Sequence, residues 1–230
     1  MSVRSNVNAD IKDWISTGIN VSASRTNDRL TLNNASNGII SLSLLNNPAR
    51  AVYNPDGSFA GPVTPEEIAF GIRNPIAEAL NIRDHIERNR VFGNIFLELD
   101  LLESLTFRTE LGGDIGNNVA DQFQPTFSYG ALERGSNQVN LRRENSDYWI
   151  LKNLLTFSNT FNDAHDLTVL LGQEIQESSW GGVIAQDGDF VGNELPALGT
   201  GNAQDITSQY LASSALESYF GRAIYSFDNR

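Results

Sequence analysis

The side chains that could do chemistry in this chain are few and scattered. Glu98 and Asp100 form the best carboxylate pair, two residues apart and so on one face of a strand. Such a pair can serve acid–base hydrolysis of a glycoside. The simpler reading leaves them on a hydrated sheet face. Arg108 and Glu110 have the same spacing and read as a charge network on that face. His85 and His165 lie far apart, His165 in a short turn, without the carboxylate spacing of a metal pair. Asp187-Gly188-Asp189 with Asn193-Glu194 gathers oxygen ligands, but lacks the spacing of a calcium loop and reads as an Asp/Gly turn. Gly199-Thr200-Gly201 lacks the third glycine and the helix of a dinucleotide site. No Gly-x-Ser-x-Gly elbow occurs, and there is no cysteine for a thiol, disulfide or thiolate-metal site. We therefore expect no enzyme, no cofactor, and no catalytic or metal-binding residue. The loop aromatics Tyr53, Phe59, Phe127, Tyr129, Trp180 and Tyr210 either stack on sugar rings or pack the loops together. No ligand-binding residue is singled out.

The elements that would carry these residues have a clear rhythm. Val3 to Ile11 and Ile15 to Ala23 flank the turn Lys12-Asp13-Trp14. Val91 to Leu99 and Leu105 to Ile115 flank Leu102-Glu103-Ser104. Trp149 to Phe161 and Leu167 to Ile175 flank Asn162-Asp163-Ala164-His165, and Tyr219 to Phe227 makes a seventh strand. Long polar connections separate these hairpins, from about Arg25 to Arg90, Gly116 to Asp147 and Gln176 to Leu216.

Within the segments the polarity alternates. Val3, Val7, Ala9 and Ile11 oppose Arg4, Asn6, Asn8 and Asp10. Leu105, Phe107, Leu111 and Ile115 oppose Thr106, Arg108, Glu110 and Asp114. Period two means a sheet with one apolar and one wet face. Charged residues inside a strand need water or partners, which a polar lumen supplies. Short turns on one side and long loops on the other are the pattern of a transmembrane barrel, and Trp14 at its turn suits either an interface girdle or the cap of a soluble sandwich. In the first long connection, Asn54-Pro55-Asp56-Gly57 signals a turn. Thr64 before Pro65-Glu66-Glu67, and Asn74 before Pro75, are helix starts.

The 230 residues are 40% apolar with a formal charge of −12. No apolar run approaches the ~18 residues of a membrane helix, which a barrel does not need. The acidity and scattered arginines argue against nucleic-acid binding. The N-terminus lacks the apolar core of a signal peptide. About seven strands is an odd count, whereas single-chain bacterial barrels close with an even one. Both points lead us to expect residues 1–230 to be part of a longer barrel.

Five stretches resemble SusC/RagA-type TonB-linked outer-membrane receptors, the nutrient importers of Bacteroidetes. They are Asp10-Ile11-Lys12-Asp13-Trp14 with Gly18-Ile19-Asn20-Val21-Ser22; Val52-Tyr53-Asn54-Pro55-Asp56-Gly57-Ser58; Leu105-Thr106-Phe107-Arg108-Thr109; Leu167-Thr168-Val169-Leu170-Leu171-Gly172-Gln173-Glu174; and Ser218-Tyr219-Phe220-Gly221-Arg222 with Tyr225-Ser226-Phe227-Asp228. The resemblance implies an all-β antiparallel meander within a transmembrane barrel of roughly 22 strands. It implies short periplasmic turns, long extracellular loops and contact with outer-membrane lipid. It also implies a separate plug domain, a SusD-like lipoprotein lid and energy from the TonB complex through an N-terminal part absent here. The implied cargo is a nutrient, typically an oligosaccharide. The alternative is a soluble carbohydrate-binding or adhesin β-domain, in which the apolar faces pack on each other.

Overall fold

The computed structural model describes residues 1–30, 38–194, 196–202 and 206–228. Asn229 and Arg230, expected to open a further turn, lie outside the described residues. Seven strands form one antiparallel meander: β1 (Ser2–Lys12), β2 (Ile15–Arg29), β3 (Arg83–Leu102), β4 (Leu105–Gln124), β7 (Gln138–Phe161), β8 (His165–Gly188) and β9 (Ile206–Phe227). A separate small hairpin joins β5 (Phe127–Tyr129) to β6 (Leu132–Arg134). Among the described residues, β1 and β9 each pair along one side, so the sheet is open.

The expected strands are all present, but five are much longer than expected. β3 and β4 have 20 residues each, β7 and β8 have 24, and β9 has 22. The connections shrink accordingly, to 30–82, 125–137 and 189–205. The physical reason is that alternation marks a strand only where its two faces meet different solvents. Beyond the apolar zone both faces carry polar residues, and Asn117-Asn118 or Ser178-Ser179 continue the backbone ladder without any alternating signal.

Register ties the faces together. Cross-strand partners share parity, odd with odd and even with even, through all six strand pairings. The exceptions are the bulged pairs beside two short turns, Lys12 with Ile15 and Leu102 with Leu105. One odd-numbered face and one even-numbered face therefore run across the whole sheet. The β7–β8 turn is held in this register by Asn162 and Asp163, both at positive φ (51° and 56°). That is the geometry of a tight hairpin turn, and Asn and Asp tolerate it best.

The core does not lie under the middle of the sheet; its strand-borne members, Phe123 and Ala185, sit at the loop ends of β4 and β8. Leu42, Ala60, Ile72, Ala77 and Tyr129 are buried in the connections. On the odd face, Val7, Ile95, Leu111, Ile115, Leu171 and Tyr225 are 48–61% exposed. No described element packs over that band.

The first connection is a small folded cap with helices α1 (Ile39–Leu45), α2 (Pro65–Ala69) and α3 (Pro75–Asn81). Both signalled helix starts are present. Asn74 accepts from the amides of Ile76 and Ala77, and Thr64 forms a capping box with Glu67. Helix α1 was not signalled, because Gly38 at its start makes no side-chain cap. Gly61 lies where any Cβ would collide with the Tyr129 carbonyl, which seats the cap against the β5–β6 hairpin.

Glu67 gives the cap a pH dependence. Hydrogen bonds from Arg50, then from the Val63 and Thr64 amides, hold its carboxyl down to about 2 from an ordinary 4.5. A depressed carboxyl stabilises the folded state above its ordinary value, and that contribution disappears as pH falls from 4.5 to about 2. Amide exchange at Val63 and Thr64 should therefore accelerate across that window beyond its intrinsic trend. In Glu67→Gln the extra acceleration should vanish.

Candidate functional site

The even face carries the polar residues as one bonded strip. Asn20 donates to Asn94 (3.0 Å), which donates to Glu110 (2.8 Å). Arg108 lies between two carboxylates, 3.1 Å from Glu98 and 3.2 Å from Glu110. Its guanidinium sits 3.9 Å from the Phe96 ring centroid, a cation–π contact. Register adds Lys152 opposite Glu110, and Glu174 opposite Lys152. Arg90 pairs with Asp114. These rungs alternate in sign across neighbouring strands, the cross-strand arrangement that stabilises a sheet.

Glycine makes room for two aromatic rings on this face. Phe96 lies over Gly18, and Phe220 lies over Gly172; a Cβ at either glycine would overlap the ring. Each pair links adjacent strands, β2 with β3 and β8 with β9.

The candidate chemical residues fall apart in space or are already engaged. Glu98 is bound to Arg108, and Asp100 accepts from Thr106 at 2.7 Å. His85 lies towards the loop end of β3, whereas His165 begins β8 at a short turn and bonds the Tyr225 hydroxyl at 2.7 Å. Asp187 is 2% exposed and accepts from the amides of Gly188, Gly199 and Gly201 at 2.7–3.0 Å. The Asp-Gly-Asp and Gly-Thr-Gly motifs are thus two halves of one loop fastening. Asn137 completes it through the Phe190 amide and carbonyl, and Asn193 grips Thr126. Among the described residues, no group of three or more His, Asp or Glu side chains is placed to hold a metal.

The loop aromatics divide. Tyr53 meets Phe59 (5.2 Å), Phe59 meets Tyr129 edge-on (5.8 Å), and Phe127 stacks on Tyr129 (4.3 Å). These four pack the loops together. Trp180 stays 51% exposed on the even face of β8, and Tyr210 donates to Glu144.

Two features escaped sequence reading. The first is a polar rung on the odd face: Thr109 donates to Asn153 (2.8 Å), Asn153 to Gln173 (3.3 Å), and Gln173 to Glu217 (3.0 Å). Each amide occupies the next across three strand boundaries, which lowers the cost of polar groups on an apolar face. Its residues lie on β4, β7, β8 and β9, and only the register reveals them as one row. The second is a cavity of about 190 Å³ below the cap, walled by Leu30, Ile39, Ala79 and Ile82 and carrying the polar side chains of Arg73, Glu78, Asp84, Gln122, Gln124 and Arg134.

The odd face has the height of a membrane. Leu105 to Ile115 covers ten steps of β4. At ~3.3 Å per step and the ~40° tilt of barrel strands, that is ~25 Å, the height of an outer-membrane apolar band. Leu105, Phe107, Phe157, Leu167 and Tyr225 lie near the short turns, and Trp149 lies towards the long loops. No described helix is long and apolar enough to cross a membrane, which says nothing of strands.

Fold and faces together define a class, the wall of an antiparallel up-and-down barrel, apolar on one face and polar on the other. The relatives agree. No family model matches the chain. It is 27% identical over 237 aligned residues, its whole length, to TonB-dependent receptor P3 of Formosa agariphila, and covers 23% of that protein. Against TonB-dependent receptor P39 of the same organism it is 30% identical over 110 residues, 46% of this chain and 10% of the relative. The chain thus spans a quarter or less of the curated relatives it matches. The solved structure of the RagAB peptide transporter superposes on 99% of this chain and 26% of its own, with TM-score 0.80 and 20% identity. The chain is similar over its whole length to a TonB-dependent receptor and shares the fold of part of the RagAB peptide transporter.

Proposed function

We propose that residues 1–230 form part of the barrel wall and outer loops of a TonB-dependent nutrient importer in the outer membrane. The odd face meets lipid and the even face lines the lumen. The short turns face the periplasm, and the cap and long loops face outwards. The importer works with a SusD-like lipoprotein and draws energy from the TonB complex through parts of the receptor beyond this stretch. Its cargo is an oligosaccharide. The observation that carries this reading is the exposed odd face, apolar across seven strands in fixed register apart from the bonded Thr109–Asn153–Gln173–Glu217 row, and backed by a polar, bonded face. Whole-length similarity to TonB-dependent receptor P3 supports it. A peptide cargo is the second reading, favoured by the fold match to RagAB, a peptide transporter.

The test is fractionation and uptake with the complete receptor. We expect it in the outer-membrane fraction, shifting on gels when heated as closed barrels do, and importing labelled oligosaccharide only in cells with a working TonB complex. Recovery in the soluble fraction, or uptake that persists without TonB, contradicts the proposal.

A further inference from the structure

The cavity beneath the cap holds an imbalance between donors and acceptors. Its strand-borne residues Asp84, Gln122 and Gln124 are even-numbered, so they lie on the face that continues into the Glu98–Arg108–Glu110 strip. Arg73 and Glu78 come from the cap, and Arg134 from β6. Both carboxylates are already engaged: Glu78 with Arg73 at 3.4 Å, and Asp84 with the Gln122 amide at 3.1 Å. The cations are not saturated. Arg73 Nε is buried without an acceptor. Among the described residues Arg134 makes no ion pair.

A buried donor without a partner is uncommon and calls for an acceptor. The volume, about 190 Å³, far exceeds the ~10–15 Å³ that admits one water. The unfilled valences are guanidinium N–H groups, whose planar fork matches two oxygens of one anionic group. The Gln122 and Gln124 amides beside them can meet hydroxyls.

We propose that this cavity is an oxyanion subsite on the cargo path, taking the carboxylate or sulfate ester of an anionic oligosaccharide between Arg73 and Arg134. The proposal rests on the importer reading and narrows its cargo to acidic sugars.

The test is calorimetric binding to the complete receptor, purified in detergent, with four probes of matched length: an oligouronate, a sulfated oligosaccharide, a neutral oligosaccharide and an acidic peptide. An acidic sugar should bind at least about tenfold more tightly than the neutral one, the scale of one charge-assisted contact. The uronate and sulfate arms identify which oxyanion is preferred. Arg134→Gln should erase that preference, and Arg134→Lys should restore part of it. Arg73→Gln is an independent second variant, and heat-modifiability shows that each variant is folded. Equal affinity for acidic and neutral sugars, a preference that survives both substitutions, or binding of the peptide alone overturns the subsite. Those results leave TonB-dependent import standing, which fails only by the fractionation and uptake test.

Discussion

Leu111→Arg should destabilise the assembled barrel by ~2–4 kcal/mol, the cost of a guanidinium near the middle of the apolar band. Leu111 sits on the odd face between Ile95 and Leu151, 49% exposed, with no described element to cover it. In water such a substitution would be nearly neutral. In hydrocarbon the charge must reach an interface several residues away, and snorkelling recovers only part of the cost. Ile150→Arg, on the even face opposite Gly112, is the control. There the new cation meets water near Glu110 and Asp114, and the expected change is under about 1 kcal/mol. Urea unfolding of the complete receptor in lipid vesicles measures both. A small effect at Leu111 would mean that this face does not touch lipid.

Gly172→Val should cost ~1–3 kcal/mol by overpacking. Phe220 lies across Gly172 on the even face, and the first added carbon already overlaps its ring. A branched side chain must push the ring into the lumen or separate β8 from β9. Phe220→Ala removes the obstacle, so the double variant should recover part of the loss. A coupling of ~0.5–3 kcal/mol between the two positions is expected for residues in direct contact. Additive losses would show that the Gly172 notch and the ring are independent. The same cycle can be run on Gly18 and Phe96 between β2 and β3.

The alternating zone was legible in the sequence because an apolar and a polar face impose opposite demands on neighbouring residues. Leu105 to Ile115 declared both faces and its strand type in eleven letters. The same chain fell silent above the band, where Arg142-Arg143 and Asn117-Asn118 are strand in the structure but carry no alternation. Backbone ladders need no polarity pattern once water bathes both faces. Capping chemistry is local, so Thr64 and Asn74 announced their helices, whereas α1 has no side-chain cap and showed no start. The charge strip was readable in part, since Glu98, Arg108 and Glu110 fall on one parity. Its bonding to Asn20 and Phe96 needed the β2–β3 register. The cavity was not readable at all, because Arg73, Gln122 and Arg134 meet only when the cap folds back over the strand ends.

The sidedness of the sheet can be measured directly: this chain has no cysteine of its own, and any elsewhere in the complete receptor are replaced first. Single cysteines placed along β4 in the complete receptor, in native outer membranes, would be offered a water-soluble maleimide and, separately, a lipid-phase label. Positions 108, 110, 112 and 114 should react only from water, and positions 107, 109, 111 and 113 only from lipid. Alternation lost, or odd positions shielded from both reagents inside a protein core, would contradict a membrane-facing wall.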